Sequence, residues 1–208
     1  MFAAAVRVPD PDFLPASVDD SKNIAPERRE ALAAELRADD RVAVGMAEIP
    51  VARIDDPETN MNTLTVVAHA EAAAEVVDAD ERGATGLLDA GDTSEQRFAR
   101  RVADRIPADV DLTARHRADE DHAVVGAASI VAKVARDAHV EALAGAYADE
   151  YGAAFGDLGS GYPGDSTTRE FLDSFVAEFG ELPDCARRSW STCEDVVAEA
   201  EQSGLGEF

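Results

Sequence analysis

Residues 124–147 read VVGAASIVAKVARDAHVEALAGAY, and the first half of that stretch is apolar almost all round. A helix of this kind has to be buried on every side, so the chain must build layers around it. A regular alternation supplies them. Residues 2–8 have the β-branched and small apolar content of a strand; 42–51 (VAVGMAEIPV) form a second, broken by Pro50; 86–89 a short third and 110–112 a brief fourth. Helices fall between. Residues 26–36 are opened by Pro26, and 60–77 follow an asparagine cap with Leu64, Ala68, Ala72 and Val76 on one face. Gly83 is expected to end that helix or a short extension of it. Another helix starts near residue 94, with Phe98, Val102 and Ile106 aligned and Thr93 and Gln96 at capping-box spacing. Residues 9–23 read as loop and 156–165 (GDLGSGYPGD) as a glycine-rich loop. A helix at 168–179 and, after the break at Pro183, a terminal helix close the chain. Strands alternating with helices predict an α/β layer architecture without internal repeats.

Charge narrows the setting. Forty-three acidic residues stand against 19 basic ones, for a net charge of -24, and only Lys22 and Lys133 among those cations are lysine. An acidic, Ala-rich, Lys-poor surface is the solution found where dense carboxylates keep a protein hydrated in a very salty cytoplasm. At molar salt the Debye length is about 3 Å, so net acidity does not exclude a nucleic-acid partner. Cys185 and Cys193 are read as free thiols of a reducing interior, too few for a disulfide scaffold. No window is apolar enough to span a membrane and no basic leader opens the chain, so a soluble, cytoplasmic protein is expected.

Candidate chemistry is sparse. Asp89 directly follows a buried apolar strand, the place where α/β folds hold ligand-facing groups, and its oxygens suit a hard cation. On an acidic chain a solvated loop carboxylate is the competing reading. Asp119 lies between the basic cluster Arg115-His116-Arg117 and the buried helix, which suits a phosphate path or a simple local ion pair. His116 and His122 flank it without a third ligand at zinc spacing. Ser129 and Lys133 are one helical turn apart, the spacing of a nucleophile pair, yet a core serine and a lysine reaching toward phosphate fit better, since no oxyanion loop is evident. Tyr162, on a loop that lets backbone approach closely, could stack on a sugar or bond its 2′-hydroxyl.

Taken in order, DDSKNIAPERRE (19–30), MNTL (61–64), LLDAGDTSEQRF (87–98), ADEDHAVVGAASIVAKVARD (118–137) and GDLGSGYPGD (156–165) followed by RRSW (187–190) resemble the motifs of archaeal ribonuclease HII. The resemblance spans nearly the whole chain. It implies a ribonuclease H-like α/β domain over residues 1–165, a mixed sheet flanked by helices, and a helical extension over 166–208. It implies Asp89 and Asp119 as catalytic, metal-binding carboxylates for Mn²⁺ or Mg²⁺. Tyr162 would lie by the ribose, with Ser21, Lys22 and Lys133 on the phosphate side of an RNA/DNA hybrid duplex. The implied reaction is two-metal endonucleolytic hydrolysis of the RNA strand, embedded ribonucleotides included; a monomer without a membrane partner is expected. The family opens with Asp-Glu-Ala-Gly-Arg/Lys-Gly on its first strand, and the present sequence matches only from the following strand onward. The expectation is therefore a chain whose start is assigned too late or, as the alternative, a hybrid-binding fragment lacking two of four carboxylates.

Overall fold

The computed structural model describes residues 1–15, 18 and 24–205. The elements run β1 (Phe2–Arg7), α1 (Pro26–Ala38), β2 (Ala43–Glu48), α2 (Val51–Ile54), α3 (Met61–Ala74), β3 (Arg82–Asp89), α4 (Glu95–Ala103), β4 (Asp109–Arg115), α5 (Ala118–Asp121), α6 (Ala123–Tyr151), α7 (Ser166–Phe179) and α8 (Ser191–Leu205). They divide into two compact units, Met1–Ile49 with Glu58–Ala135, and Pro50–Pro57 with Arg136–Phe208. The boundary expected at 165/166 lies inside the second unit, where Asp165 caps α7.

The first unit holds the strands. β1 pairs antiparallel with β2, from Phe2 opposite Glu48 to Arg7 opposite Ala43, whereas β3 and β4 pair in parallel. Both strand senses are present, in two two-stranded sheets. Alternation along β1 and β2 sends Ala3, Ala5, Gly45 and Ala47 to one face and Ala4, Val6, Val44 and Met46 to the other. The second face packs with Leu32 and Leu36 of α1 and Ala127, Ile130 and Val131 of α6. On the first face α3 lies so close that a methyl at Gly45 would stand 2.1 Å from the Ala72 carbonyl oxygen and 2.9 Å from Glu75 Cβ. Only glycine fits there. Gly45→Ala should destabilise the fold by about 3 kcal/mol, read as a lower urea midpoint with an unchanged slope.

A second core joins α3, α4, β3 and β4 through Val66, Ala70, Leu88, Phe98, Val102, Ile106 and Ala114. Several sequence expectations shift here. The α3 helix begins after Asn60 as expected, the Asn60 side chain accepting from the Thr63 N–H at 2.9 Å, but it stops at Ala74. Gly83 terminates nothing: it lies within β3 at φ 73°, where the β3/β4 register slips between Arg82 and Ala84. β3 therefore starts earlier than its apolar core, the bulge absorbing a residue that no alternation rule accommodates. The cap of α4 is Ser94, which accepts from Arg97 N–H at 3.3 Å, rather than Thr93. β4 runs on to Arg115, since Val110, Leu112 and Ala114 alternate inward past the polar residues between them.

The second unit is helical. Tyr147, Leu158, Phe171, Leu172, Phe175, Val176, Cys193 and Val196 form its core, and Tyr147, Tyr151, Phe155, Phe175 and Phe179 make a chain of ring contacts, most edge to face. Both cysteines are free thiols, as expected. No helix among the described residues is long and apolar enough to cross a membrane.

Candidate active site

β3 delivers Asp89 at its C-terminal end, after the buried Leu88. Asp89 Oδ1 accepts from the Ala118 N–H at 3.1 Å. That amide belongs to the first turn of α5, whose unsatisfied donors make it a natural seat for a carboxylate. The next residue is Asp119, only 9% exposed. The bond thus ties Asp89 to the residue next to Asp119 and leaves Asp89 Oδ2 without a protein donor among the described residues. Chain direction is set just before, at Arg117, the one non-glycine residue described with positive φ (59°). Its guanidinium is tied to Glu120 at 2.7 Å, and the preceding His116 N–H is held by Glu95 at 2.8 Å.

Asp89 and Asp119 lie along one cleft of about 1190 Å³ in the first unit, which His69, His122 and Ser129 also line. His69 is a residue the sequence reading passed over, since it sits within an apolar helical run where a ring reads as core. Its ring packs edge to face on Phe98, centroids 5.1 Å apart. Burial pushes its pKa below the ordinary value, against the opposing pull of Asp89. The imidazole is therefore neutral in the fold, and as pH falls through about 6.5 the unfolded chain takes up the proton first. Thermal stability in molar KCl should decline as pH drops below that value, and His69→Phe should remove this part of the decline while leaving the carboxylate part at lower pH.

Lys133 is half-buried on α6, one turn beyond Ser129. Ser21 and Lys22 lie outside the described residues. Tyr162 belongs to the second unit, where the residue is 55% exposed and the Arg136 guanidinium lies over its ring at 3.9 Å. The loop carrying it is held by Thr168, whose hydroxyl accepts from Gly161 N–H at 2.9 Å and donates to the Leu158 carbonyl at 2.8 Å. Arg136 was not anticipated; its signal would have been a lone arginine at the end of the apolar half of α6.

The donor chemistry can be tested against a divalent ion. Asp89 and Asp119 offer hard oxygens, and one or two carboxylates with water and phosphate suffice for Mg²⁺ or Mn²⁺. Among the described residues no three His, Cys, Asp or Glu side chains gather around one point. The pair fits such a cation but does not enclose it, and a zinc site at His116 and His122 is not formed.

An α/β fold with Asp89 at the end of a parallel strand and Asp119 on the helix bonded to it, matched over nearly the whole chain by solved ribonuclease HII, places the protein in the ribonuclease H class of nucleases. The ribonuclease HII family profile matches residues 1–193, and the chain belongs to that family. Relatives named ribonuclease HII from Halobacterium salinarum and Haloarcula marismortui are each 58% identical over 208 residues, spanning all of this chain and 92% of theirs. The one from Thermococcus kodakarensis is 37% identical over all of this chain and 87% of its own. Among solved structures, ribonuclease HII in the complex with PCNA from Archaeoglobus fulgidus superposes with a TM-score of 0.76 at 30% identity, over 94% of this chain and 88% of that one. Ribonuclease H2 from Pyrococcus horikoshii gives 0.72 at 26% identity, over 97% and 100%.

Proposed function

We propose that the chain hydrolyses the RNA strand of RNA/DNA hybrids, ribonucleotides embedded in duplex DNA included, and leaves a 5′-phosphate. The observation that carries this reading is the Ala118 to Asp89 hydrogen bond, which ties the helix bearing Asp119 to the end of β3 inside one cleft. Asp89 Oδ2 and the Asp119 carboxylate are the groups that would hold Mg²⁺ or Mn²⁺. Two such ions, when bound, lower the pKa of the attacking water and steady the leaving 3′-oxygen. The Ala118 amide keeps Asp89 oriented, so no side-chain search is needed when substrate arrives. Lys133, with Ser21 and Lys22, takes the phosphate side. Tyr162 takes the ribose, Arg136 restricting its ring so that the hydroxyl can meet the 2′-hydroxyl that separates RNA from DNA. The protein works as a monomer in a salty cytoplasm, where screening to about 3 Å lets a polyanion approach a chain of net charge -24.

The second reading is a hybrid-binding protein impaired in cleavage, in which Asp89 and Asp119 fit a divalent ion without enclosing it. One experiment separates them. A duplex containing a single ribonucleotide is incubated with the protein and Mn²⁺ in molar KCl, and binding is measured alongside. Cleavage at the ribonucleotide with a 5′-phosphate product supports hydrolysis, binding without cleavage supports the second reading, and neither event sinks both.

A further inference from the structure

The second unit carries an aromatic platform that hydrolysis in the first unit does not use. Tyr151 ends α6, Phe155 ends the short helical turn Ala153–Phe155, and Phe179 ends α7, where Gly180 at φ 77° stops the helix and leaves the last ring in solvent. The three rings form a triangle with centroid separations of 5.1, 6.5 and 5.4 Å, and each rests on the buried Phe175, at 5.1, 5.6 and 4.6 Å. Helical spacing builds it: Phe171, Phe175 and Phe179 recur one turn apart on α7, as Tyr147 and Tyr151 do on α6. Tyr151 is 36% exposed and Phe179 41%. Seated on a core ring, the platform is preformed and loses little side-chain freedom when something covers it.

The chain shows elsewhere what covers an aromatic ring. Phe13 lies under the Arg41 guanidinium at 4.5 Å, Tyr162 under Arg136 at 3.9 Å and Trp190 under Arg187 at 5.7 Å. Among the described residues no cation stands over Tyr151, Phe155 or Phe179. The sequence around them has none to offer. Residues 137–186 hold 11 Asp and Glu and, as their only arginine or lysine, Arg169, which is tied to Glu199 at 2.9 Å. Carboxylates gather instead: the Tyr151 hydroxyl has its pKa raised by desolvation and then by Glu150, Asp184 and Glu181, so these acids lie around it. Asp184 has Arg188 at 3.9 Å, whereas Glu150 and Glu181 are exposed and make no ion pair among the described residues. Exposed ring faces rimmed by acids complement a guanidinium, because the ring quadrupole and the carboxylates attract the same planar group. Molar salt screens attraction beyond about 3 Å but leaves a contact made on the ring face.

We propose that this platform is a docking surface for a partner protein that presents an arginine between apolar residues. The guanidinium lies on the Tyr151 and Phe179 rings with Glu150 and Glu181 beside it, and the apolar flanks cover Phe155. A small free cation would leave Phe155 bare, so the occupant is a polypeptide.

The probe is acetyl-Gly-Leu-Arg-Leu-Gly-amide, titrated into the whole chain in molar KCl while the ring resonances of Phe and Tyr are followed by NMR. Tyr151, Phe155 and Phe179 should shift saturably, and Phe13 and Tyr162, already under an arginine of their own, should stay in place. Citrulline in place of the arginine keeps the shape and loses the charge; it should weaken binding about tenfold, as should Phe179→Leu, which keeps apolar volume and loses the ring. Glu150→Gln combined with Glu181→Gln should weaken it about threefold, screening limiting the loss. No shift at the platform, equal affinity for the citrulline peptide, or unchanged affinity in either variant would overturn the proposal. Acetyl-arginine-amide binding as tightly as the peptide would make this a small-cation site and sink the protein partner. Shifts of the same rings on concentrating the chain alone would sink it too, since a second copy would then be the occupant.

Discussion

Asp89→Asn should lower cleavage of a ribonucleotide-containing duplex by about 10³-fold or more, with the melting temperature almost unmoved. The two halves of that expectation have separate causes. Asparagine keeps an Oδ1 acceptor, so the bond from the Ala118 N–H at 3.1 Å can persist and α5 stays attached to β3. What disappears is the charge on the other side-chain atom, which becomes an amide that cannot hold a divalent ion, and stabilisation of several kcal/mol in the transition state goes with it. Circular-dichroism melts and single-turnover cleavage in molar KCl with Mn²⁺ check both halves. Hybrid binding should survive, since phosphate contacts fall to other residues. Cleavage within tenfold of the unsubstituted protein would remove Asp89 from the chemistry. An equal loss of melting temperature would make it a structural cap for α5 instead.

Part of the setting of this candidate site is legible in the sequence. A buried apolar strand ending in an aspartate is visible as letters, and so is a helix apolar all round, because burial on every side leaves no polar face to write. The Asn60 cap is equally local, its side chain bonding three residues on. The unreadable parts depend on partners distant in sequence. Nothing local tells that Asp89 holds the amide of Ala118, 29 residues away, or that His69 rests on Phe98 beside the same cleft. Gly83 looked like a helix stop because glycine serves that role as readily as it serves a bulge, and only the pairing of β3 with β4 decides between them. Thr93 and Ser94 are equally good caps on paper. Asp92 settles the choice by accepting from the Ser94 N–H and gripping the Arg97 side chain, which draws the Asp92 carboxyl well below the usual carboxylate range.

The acidic surface bears on how such a site is reached rather than on how it is built. Its ion pairs are mostly exposed, such as Arg41 with Asp39 and Arg169 with Glu199, and in molar salt each adds little to stability. Stability then rests on the apolar cores, and the residue that links a core to the candidate site is the one whose loss should be felt most.

That residue is Phe98. Fully buried on α4, it packs among Val66, Leu88, Val102 and Ala114 and presents its ring to the edge of His69. Phe98→Ala removes those contacts and opens a cavity that Ala99 and Val102, fixed on the same helix, cannot close, so a loss of about 3–5 kcal/mol is expected. For a chain of this size the melting temperature should fall by about 10 °C. Phe98→Leu, which refills most of the volume, should recover more than half of it. Activity discriminates further: assayed well below both melting temperatures, Phe98→Leu should keep most of the cleavage, because the Ala118 bond to Asp89 does not pass through the ring. If Phe98→Leu instead cut cleavage as deeply as Asp89→Asn while remaining folded, the His69 wall of the cleft, and not only the carboxylate pair, would belong to the working site.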